Sequence, residues 1–528
     1  MKTTTPSTRR EFLAQVGQGM MVASIGYEVA TGLGLSPAIA AEAPKTALAF
    51  GDLEPLVCLM QETAADQLLP KLADRLRSGT PLKDLVKAGV LANARTFGGE
   101  DYIGFHTMMA MSPAWHMAQE SAPGEQAMPV FKVLYRNTSR IQALGGRKDE
   151  VLHPVTPSPV PAGANPGEAI RDAVRRKDQA AAEAMLAAIA AASPEEAFNA
   201  VLHAVHDHDE VHRVVMPYRA WDLLSLVGKE QAHTLLRQSI HYCVEAEGRG
   251  QHSGYGEPRD LLPKVLDEHH LMDFKAGSRK ADDAWVDKLC HTFFEASPEQ
   301  AAHAAAAALA EGFTPADISE AIMLAANQLI LRDYGRTPQM EVAGKPIGSV
   351  HGDSIGVHAC DSANAWRNMA RVASPRNQFA SVILGAHQVA KDRLERGGDF
   401  QHWQPMPVEW HLKRMGSNTP AEALLREAEE AIRGNLQSQA AAVIHHYGEL
   451  GHDPRGVFDL MRRYATSEDG ALHAEKFYRT CTDEFATTRA PWRWRHLVAL
   501  ARVTASEYGR PAPGMAQARE LMKGLAST

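Results

Sequence analysis

Two histidines end matching segments of the chain, and each has an aspartate five residues before it. The segments are GEDYIGFH, ending at His106, and HGDSIGVH, ending at His358, with Asp101 and Asp353 in equivalent places. Neutral imidazole is the commonest metal ligand in proteins, and carboxylates orient such ligands or act as general bases. We therefore predict His106 and His358 as metal ligands and the two aspartates as catalytic groups. A buried histidine bonded to its own aspartate is the alternative that the pattern leaves open.

A second group of histidines lies in the run HAVHDHDEVH, from His203 to His212. His208 and His212 are four residues apart, so on a helix they would share a face and bind one metal ion. The run resembles the HExxH of zinc peptidases, with Asp209 in place of the general-base glutamate. The matching run, SEDGALH, ends at His473. We predict these three histidines as metal ligands and Asp209 as catalytic, with a solvated helix face as the alternative.

The chain repeats itself, which is the pattern of a tandem duplication. The two histidine segments are separated by 358 − 106 = 252 residues. Two further blocks match in the same order, namely Thr80-Pro81 and Ala92-Asn93 with Thr314-Pro315 and Ala326-Asn327, and Pro194, Phe198, Asp209, Tyr218 and Arg219 with Pro454, Phe458, Asp469, Tyr478 and Arg479. We predict two copies of one unit, residues 50–275 and 285–515, folded as similar domains.

The duplication predicts where the histidines meet. Each unit keeps one histidine in its first block and one in its last, so we expect His106 to approach His212 and His358 to approach His473. A shared metal ion would bring their nitrogens within a few ångströms of each other. We expect Asp101 or Asp209 to accept the other ring N–H and fix the tautomer. Three more histidines are candidates to complete such a site, namely His233, His241 and His496.

Each unit has the pattern of an all-α fold. A serine or threonine before proline and an acidic or amide residue marks a helix start, because the hydroxyl caps free amides and proline fits the first turn. Four such starts are present, at Ser193, Ser297, Thr314 and Thr419. Alternating strand patterns are nearly absent. An insertion of the second unit, around Arg336 and Gly344, is predicted to be a loop.

The composition narrows the classes of function. The chain has 528 residues, 24 of them histidine, and a formal net charge of −8, which argues against a nucleic-acid-binding protein. Beyond the N-terminus no apolar stretch is long enough to span a bilayer, so no stable membrane insertion is expected. The five cysteines contain no CxxC pair and are expected to be free, buried thiols. No nucleotide-binding loop or serine-hydrolase elbow is evident.

The N-terminus resembles a twin-arginine (Tat) signal peptide. The run STRREFL contains Arg9 and Arg10, a weakly apolar stretch follows, and Ala38-Ile-Ala40 is a small-x-small cleavage pattern. Residues 1–40 are therefore predicted to be a signal peptide cleaved near Ala40. The mature protein would reach the periplasm through the Tat translocase, which carries folded cargo and so favours a metal or cofactor inserted before export.

The mature chain resembles the questin oxidase-like family in the stretch from Val201 to Val227 and in the segment from His351 to Ala370. That resemblance implies a helical protein linked to oxygenation of aromatic polyketides, and no catalytic residue is carried over from it. The export route, the excess of histidine and the paired Asp-x-Ile-Gly-x-His segments lead us to expect a metal- or cofactor-dependent oxidoreductase. It would have a histidine-rich site containing iron, copper or zinc and would act on a small-molecule substrate. Two alternatives stay open: a non-catalytic helical scaffold or binding protein, and a zinc metallohydrolase.

Overall fold

The computed structural model describes residues 47–148, 150–249, 257–272, 275–343, 345–352, 354–395 and 398–526. Contacts divide the chain into two compact units, Met1–Ala47 and Leu48–Thr528. Of the first unit only Ala47 is described. The predicted signal peptide and the predicted catalytic residue Asp353 both lie outside the described residues.

The described residues confirm the predicted all-α class. They form 23 α-helices and no strand, with only three isolated bridges. In the first predicted repeat the helices are α1 (Glu54–Glu62), α2 (Ala65–Arg77), α3 (Leu82–Phe97), α4 (Tyr102–Glu120), α5 (Ala127–Ala143), α6 (Pro166–Arg175), α7 (Gln179–Ala192), α8 (Pro194–Val205), α9 (Val211–Val227), α10 (Ala232–Arg249) and α11 (Pro258–Glu268). In the second they are α12 (Asp283–Glu295), α13 (Pro298–Ala310), α14 (Pro315–Arg332), α15 (Ile355–Val372), α16 (Pro375–Glu395), α17 (Glu409–Leu412), α18 (Ala421–Arg433), α19 (Gln437–Glu449), α20 (Arg455–Ser467), α21 (His473–Thr487), α22 (Trp494–Glu507) and α23 (Met515–Ala526).

Three of the four predicted helix starts are confirmed. The side chains of Ser193, Ser297 and Thr314 each cap a helix whose first residue is proline. The prediction for Thr419 is wrong: α18 begins at Ala421, after Pro420, and the Thr419 hydroxyl donates instead to the carbonyl of Gly416. The predicted insertion loop is confirmed, since the described residues between α14 and α15 contain only the short 3-10 turn Pro338–Met340.

The shared Ile-Gly step has a packing role in both repeats. A Cβ atom on Gly104 would overlap the ring of Phe97, and one on Gly356 would overlap Ile330 and its backbone. These glycines let the start of α4 lie close to the end of α3, and the start of α15 close to the end of α14. The first turn of each helix, which carries His106 or His358, is therefore held against its neighbour.

Four helices meet at the centre of Leu48–Thr528. Helix α4 packs against α9 and α21, and α15 packs against the same two helices. The last helix of each repeat packs against helices of the other repeat. Helix α11 of the first repeat packs against α13 and α16, and α23 of the second repeat packs against α2 and α5. The contacts of one repeat therefore recur in the other, as the duplication predicts, although the duplication itself stays a prediction.

The sequence predicts no membrane-spanning segment beyond the N-terminus and five free, buried cysteine thiols. No helix in the part of the chain that the structure describes is long and apolar enough to cross a membrane. All five cysteines are free thiols, and all but Cys58 are buried.

Candidate functional site

Two histidine pairs lie where the four central helices meet. The Nε2 atoms of His106 and His212 are 3.2 Å apart, and those of His358 and His473 are 3.3 Å apart. Each pair joins residues more than a hundred positions apart in the chain. The predicted approach of both pairs is therefore confirmed.

The two pairs lie against each other and form one group, which we call the histidine quartet (His106, His212, His358 and His473). Ring centroids are 4.8 and 5.3 Å apart within the pairs. Between the pairs, His106 lies 5.2 Å from His473 and His212 lies 6.0 Å from His358. His106 and His473 are each 3% exposed, whereas His212 and His358 are half-buried. The quartet therefore runs from the interior toward the surface.

Helix α4 orients the ring of His106. Asp101 caps this helix by accepting from the amide of Gly104 at 2.7 Å, and its carboxylate is held by Arg140 at 2.5 Å. One turn on, the Nδ1 atom of His106 lies 2.6 Å from the carbonyl oxygen of Tyr102. Because a carbonyl oxygen only accepts, the ring proton of His106 is on Nδ1.

Glu210 orients the ring of His212. Its carboxylate caps α9 by accepting from the amides of His212 and Arg213, and its Oε1 atom lies 2.6 Å from Nδ1 of His212. The hydroxyl of Tyr242 donates to Oε2 at 2.7 Å. Burial raises the pKa of Glu210, but its contacts with His212 and Tyr242 outweigh that effect and hold the pKa below its ordinary value. The carboxylate is therefore ionised and accepts the Nδ1 proton of His212.

These two hydrogen bonds fix the positions of the ring protons and lone pairs in His106 and His212. With both ring protons on Nδ1, the two Nε2 atoms carry lone pairs that face each other at 3.2 Å. Two acceptors cannot share a hydrogen bond, so neutral rings repel each other in this arrangement. A proton or a metal ion shared by the two Nε2 atoms would remove this repulsion.

His473 is held differently. The residues before it, Ala471 and Leu472, have φ angles of 47° and 66°, which non-glycine residues rarely adopt. They follow Gly470 in a short 3-10 turn, and α21 begins at His473 itself. This turn absorbs the one-residue difference in register from His212. On the other side of His473, a Cβ atom on Gly352 would overlap the Cβ atom of His473.

The second pair lacks a counterpart of Glu210. The Nδ1 atom of His473 is buried and has no hydrogen-bond partner among the described residues. The Nε2 atom of His473 is therefore available to carry the proton and donate to His358. The distance between the Nε2 atoms is nearly the same in the two pairs, but the hydrogen-bonding partners of the Nδ1 atoms differ.

A buried lysine lies beside the inner histidines. Burial lowers the pKa of Lys476 to about 8, although the nearby Asp361 raises it. The Asp361 carboxylate accepts from Thr480 at 2.8 Å, and burial raises its pKa. Burial and, secondarily, the charge of Lys476 lower the pKa values of His106 and His473 well below the ordinary range. The inner imidazoles are therefore neutral at pH 7, the form that binds metals.

Several predicted site residues are not brought to the quartet. His208 lies before α9, so the prediction that it shares a helix face with His212 is wrong; its Nε2 lies 3.6 Å from Glu257. Asp209 is bonded to His387 and Lys391. Neither Asp101 nor Asp209 is the tautomer-fixing acceptor, because the carbonyl of Tyr102 and the carboxylate of Glu210 take that role.

The three additional histidines also have other partners. His241 lies between Glu100 and Glu183, His233 contacts the carbonyl of Glu183, and His496 contacts the hydroxyl of Thr488. None of these contacts involves the quartet.

The nitrogen spacing of each pair fits a common metal ion. Two nitrogens at 2.0–2.1 Å from a tetrahedral metal are about 3.3 Å from each other, and the pairs show 3.2 and 3.3 Å. As the side chains stand, no group of three or more His, Cys, Asp or Glu among the described residues is arranged to hold a metal ion. The geometry therefore supplies two separate two-nitrogen half-sites.

Sequence reasoning missed three groups that shape this site. The sequence pattern does not single out Glu210, although its position two residues before His212, at a helix start, is a signal for a capping carboxylate. The carbonyl of Tyr102 has no side-chain signature. Lys476 has no basic counterpart at Val215, the equivalent position three residues after His212, so the repeat did not mark it.

Comparisons of this chain with protein-family models, with curated protein sequences and with solved structures find no match.

Proposed function

We propose that this protein is an exported oxidoreductase that binds one transition metal ion at the histidine quartet. The observation that carries the proposal is the pair of Nε2 lone pairs of His106 and His212, which face each other at 3.2 Å. Histidines that bind metals commonly donate their other ring N–H to a carbonyl or a carboxylate. His106 donates its ring N–H to the carbonyl oxygen of Tyr102, and His212 donates its ring N–H to the carboxylate of Glu210.

A metal ion satisfies the quartet better than a shared proton. Burial disfavours an imidazolium ion, whereas a metal ion bonds to several neutral nitrogens at once. Imidazole ligands suit copper, iron, nickel and zinc. Iron and copper are redox-active, and export of folded cargo through the twin-arginine pathway agrees with a metal inserted before export.

A small-molecule substrate has a route to the quartet. His212 is half-buried, and the ring of Tyr102, which is 57% exposed, lies 4.4 Å from His106 and 5.8 Å from His212, centroid to centroid. The quartet therefore reaches the surface beneath this tyrosine. A metal held at the quartet would supply redox chemistry, and Glu210 holds the proton on Nδ1 of His212.

The test is metal analysis of untagged protein purified from the periplasm. We expect about one equivalent of iron or copper per chain, with an absorption or paramagnetic signal that changes on reduction. His106→Ala and His212→Ala should lose the metal. Glu210→Gln should weaken metal binding by about 10–100-fold, the usual effect of removing a carboxylate that orients a ligand.

His402→Ala is the matched control, because this side chain is 79% exposed and far from helix α9 in sequence. It should retain the metal. Stoichiometric zinc without redox activity would exclude the oxidoreductase, and two ions per chain would exclude a single shared ion.

The non-catalytic scaffold remains the second candidate, for one reason. His473 has a buried Nδ1 without an acceptor, so the second pair is explained by one ordinary His–His hydrogen bond. Wild-type protein free of metal, in which His106→Ala lowers only stability, would support that candidate.

A further inference from the structure

A cleft of about 290 Å³ lies in the second repeat, away from the quartet. It is bounded by α12, α14, α19, α22 and the segment 405–407. Its walls combine the apolar side chains of Phe294, Leu331 and Val498 with the guanidinium groups of Arg332 and Arg495 and the imidazole of His445. Such a mixture is typical of sites for small ligands, in which a few polar groups orient an otherwise apolar body.

The two arginines keep most of their donors available to the cleft. Arg332 donates to the Gln328 amide oxygen at 2.8 Å and to the carbonyl of Trp403 at 2.9 Å, and its guanidinium lies over Phe294. No side-chain hydrogen bond or ion pair of Arg495 is found among the described residues. Burial lowers the pKa of Arg332, Cys290 and Glu295 raise it, and Arg495 acts in the same direction as burial. Two like charges thus face one cleft without a bonded counter-ion.

No carboxylate is among the described residues that line the cleft. The closest acidic groups are engaged by histidines: Asp287 and Glu295 by His291, and Glu449 by His445. Arg332 and Arg495 are half-buried, and neither forms an ion pair among the described residues, so an anion that enters the cleft can reach both charges.

The first repeat shows how this fold neutralises a buried arginine. Arg95, on α3, is fully buried and lies 2.7 Å from Glu54 and 3.2 Å from Glu150. Helix α3 is the counterpart of α14, which carries Arg332. Among the described residues, neither arginine of the cleft has a carboxylate at such a distance.

We propose that this cleft binds a small organic anion, with its carboxylate or phosphate group on Arg332 and Arg495 and its apolar body against Phe294, Leu331 and Val498. Arginine's planar fork matches both anionic groups. The volume restricts the ligand to about the size of a single substituted ring. This site does not depend on the metal at the quartet.

The experiment is isothermal titration calorimetry at fixed ionic strength, with benzoate, phenyl phosphate and benzyl alcohol as probes. We expect one site per chain for benzoate, for phenyl phosphate or for both, and no measurable binding of benzyl alcohol, which has the ring without the charge. Preference between the two anions identifies the natural head group as carboxylate or phosphate.

Arg495→Gln should weaken binding of the anion at least about tenfold, the factor that corresponds to loss of one charge-assisted hydrogen bond. Because no side-chain partner of Arg495 is found in the described part of the chain, this variant should melt at the wild-type temperature. Arg426→Gln, an exposed arginine on α18, is the control with the same change in net charge and should bind normally. Failure of both anions to bind, equal binding by Arg495→Gln, or equal binding of benzyl alcohol would each overturn the proposal.

Discussion

Ala471 and Leu472 adopt left-handed backbone conformations immediately before a histidine of the quartet. The left-handed region costs a non-glycine residue about 1–2 kcal/mol. Such strain persists where the surrounding structure requires it, and it clusters at functional sites. Here Leu472 is buried while Ala471 is exposed, so the two residues anchor the turn from which His473 enters α21.

Ala471→Gly should therefore stabilise the protein by about 0.5–1 kcal/mol, since relief of strain exceeds the added entropy of the unfolded chain. Ala471→Val should destabilise it, because a β-branched residue fits this conformation least well. Urea unfolding of both variants measures the change. If glycine and valine shifted the unfolding free energy in the same direction, strain at Ala471 would not be its source.

At the residue scale, the sequence predicted the members of the quartet but not their surroundings. Repetition marked His106 and His358, and the repeat also pointed to His212 and His473. It could not indicate that Glu210 turns its carboxylate toward a ring, because that depends on where α9 begins. It also could not indicate a positive φ at Ala471, because alanine gives no local signal for that conformation.

Asp209 ties the segment before α9 to helix α16 of the other repeat. Its carboxylate lies 2.5 Å from Nδ1 of His387 and 2.5 Å from Nζ of Lys391, and the three side chains are almost fully buried. Burial raises the pKa of Asp209, but Lys391 and His387 outweigh that effect and hold the pKa well below its ordinary value. The contact therefore stabilises an ionised carboxylate between two elements.

Asp209→Asn should destabilise the protein by about 3–5 kcal/mol at pH 7, because it removes the carboxylate bonded to the buried ammonium group of Lys391. The folded pKa of Asp209 is depressed, so its stabilisation is present above the unfolded value near 4 and is lost as pH falls toward the folded pKa. The difference between wild type and Asp209→Asn should therefore shrink below about pH 4. Urea unfolding at a series of pH values measures it.

Glu409→Gln is the control, since its pair with Lys413 is 77% and 70% exposed and should contribute at most about 1 kcal/mol. Adding Lys391→Met to Asp209→Asn should recover part of the loss. A pH-independent effect of Asp209→Asn would show that packing, not charge, accounts for it.

At the element scale, caps were predictable where side chain and proline act together, as at Ser193 and Ser297. Thr419 follows the same pattern, yet its hydroxyl bonds to Gly416 and the helix starts later. The prediction for His208 is wrong because it also depends on where a helix begins. A spacing of four residues places two side chains on one face only inside a helix, and α9 begins after its cap at Glu210, so His208 lies outside it.

At the scale of the whole molecule, the all-α class followed from helix starts and alanine-rich runs. The packing of each last helix on the other repeat could not be predicted from the sequence. Contacts such as α11 with α16 and α23 with α5 depend on tertiary packing that no local pattern encodes. Leu48–Thr528 clusters as one compact unit, and the division into two similar domains, 50–275 and 285–515, stays a prediction.

The proposed export also concerns the whole chain. Replacing Arg9 and Arg10 together by lysine should leave the precursor in the cytoplasm, because the twin-arginine pair is the recognised feature of that route. Fractionation followed by immunoblotting measures the outcome, with replacement of Lys2 by arginine as a control outside the motif. Normal periplasmic accumulation of the double-lysine variant would rule out this pathway.

The exchange of end helices has a consequence for any shorter form of this protein. A chain with only one repeat would leave the faces that receive α11 or α23 uncovered, and it would hold two of the four imidazoles. Two such chains, related by a two-fold axis and each lending its last helix to the other, would restore both the cover and the quartet. The covalent link between repeats thus replaces what would otherwise be a concentration-dependent, domain-swapped dimer, and it allows the two halves of the site to diverge, as Glu210 and Lys476 have.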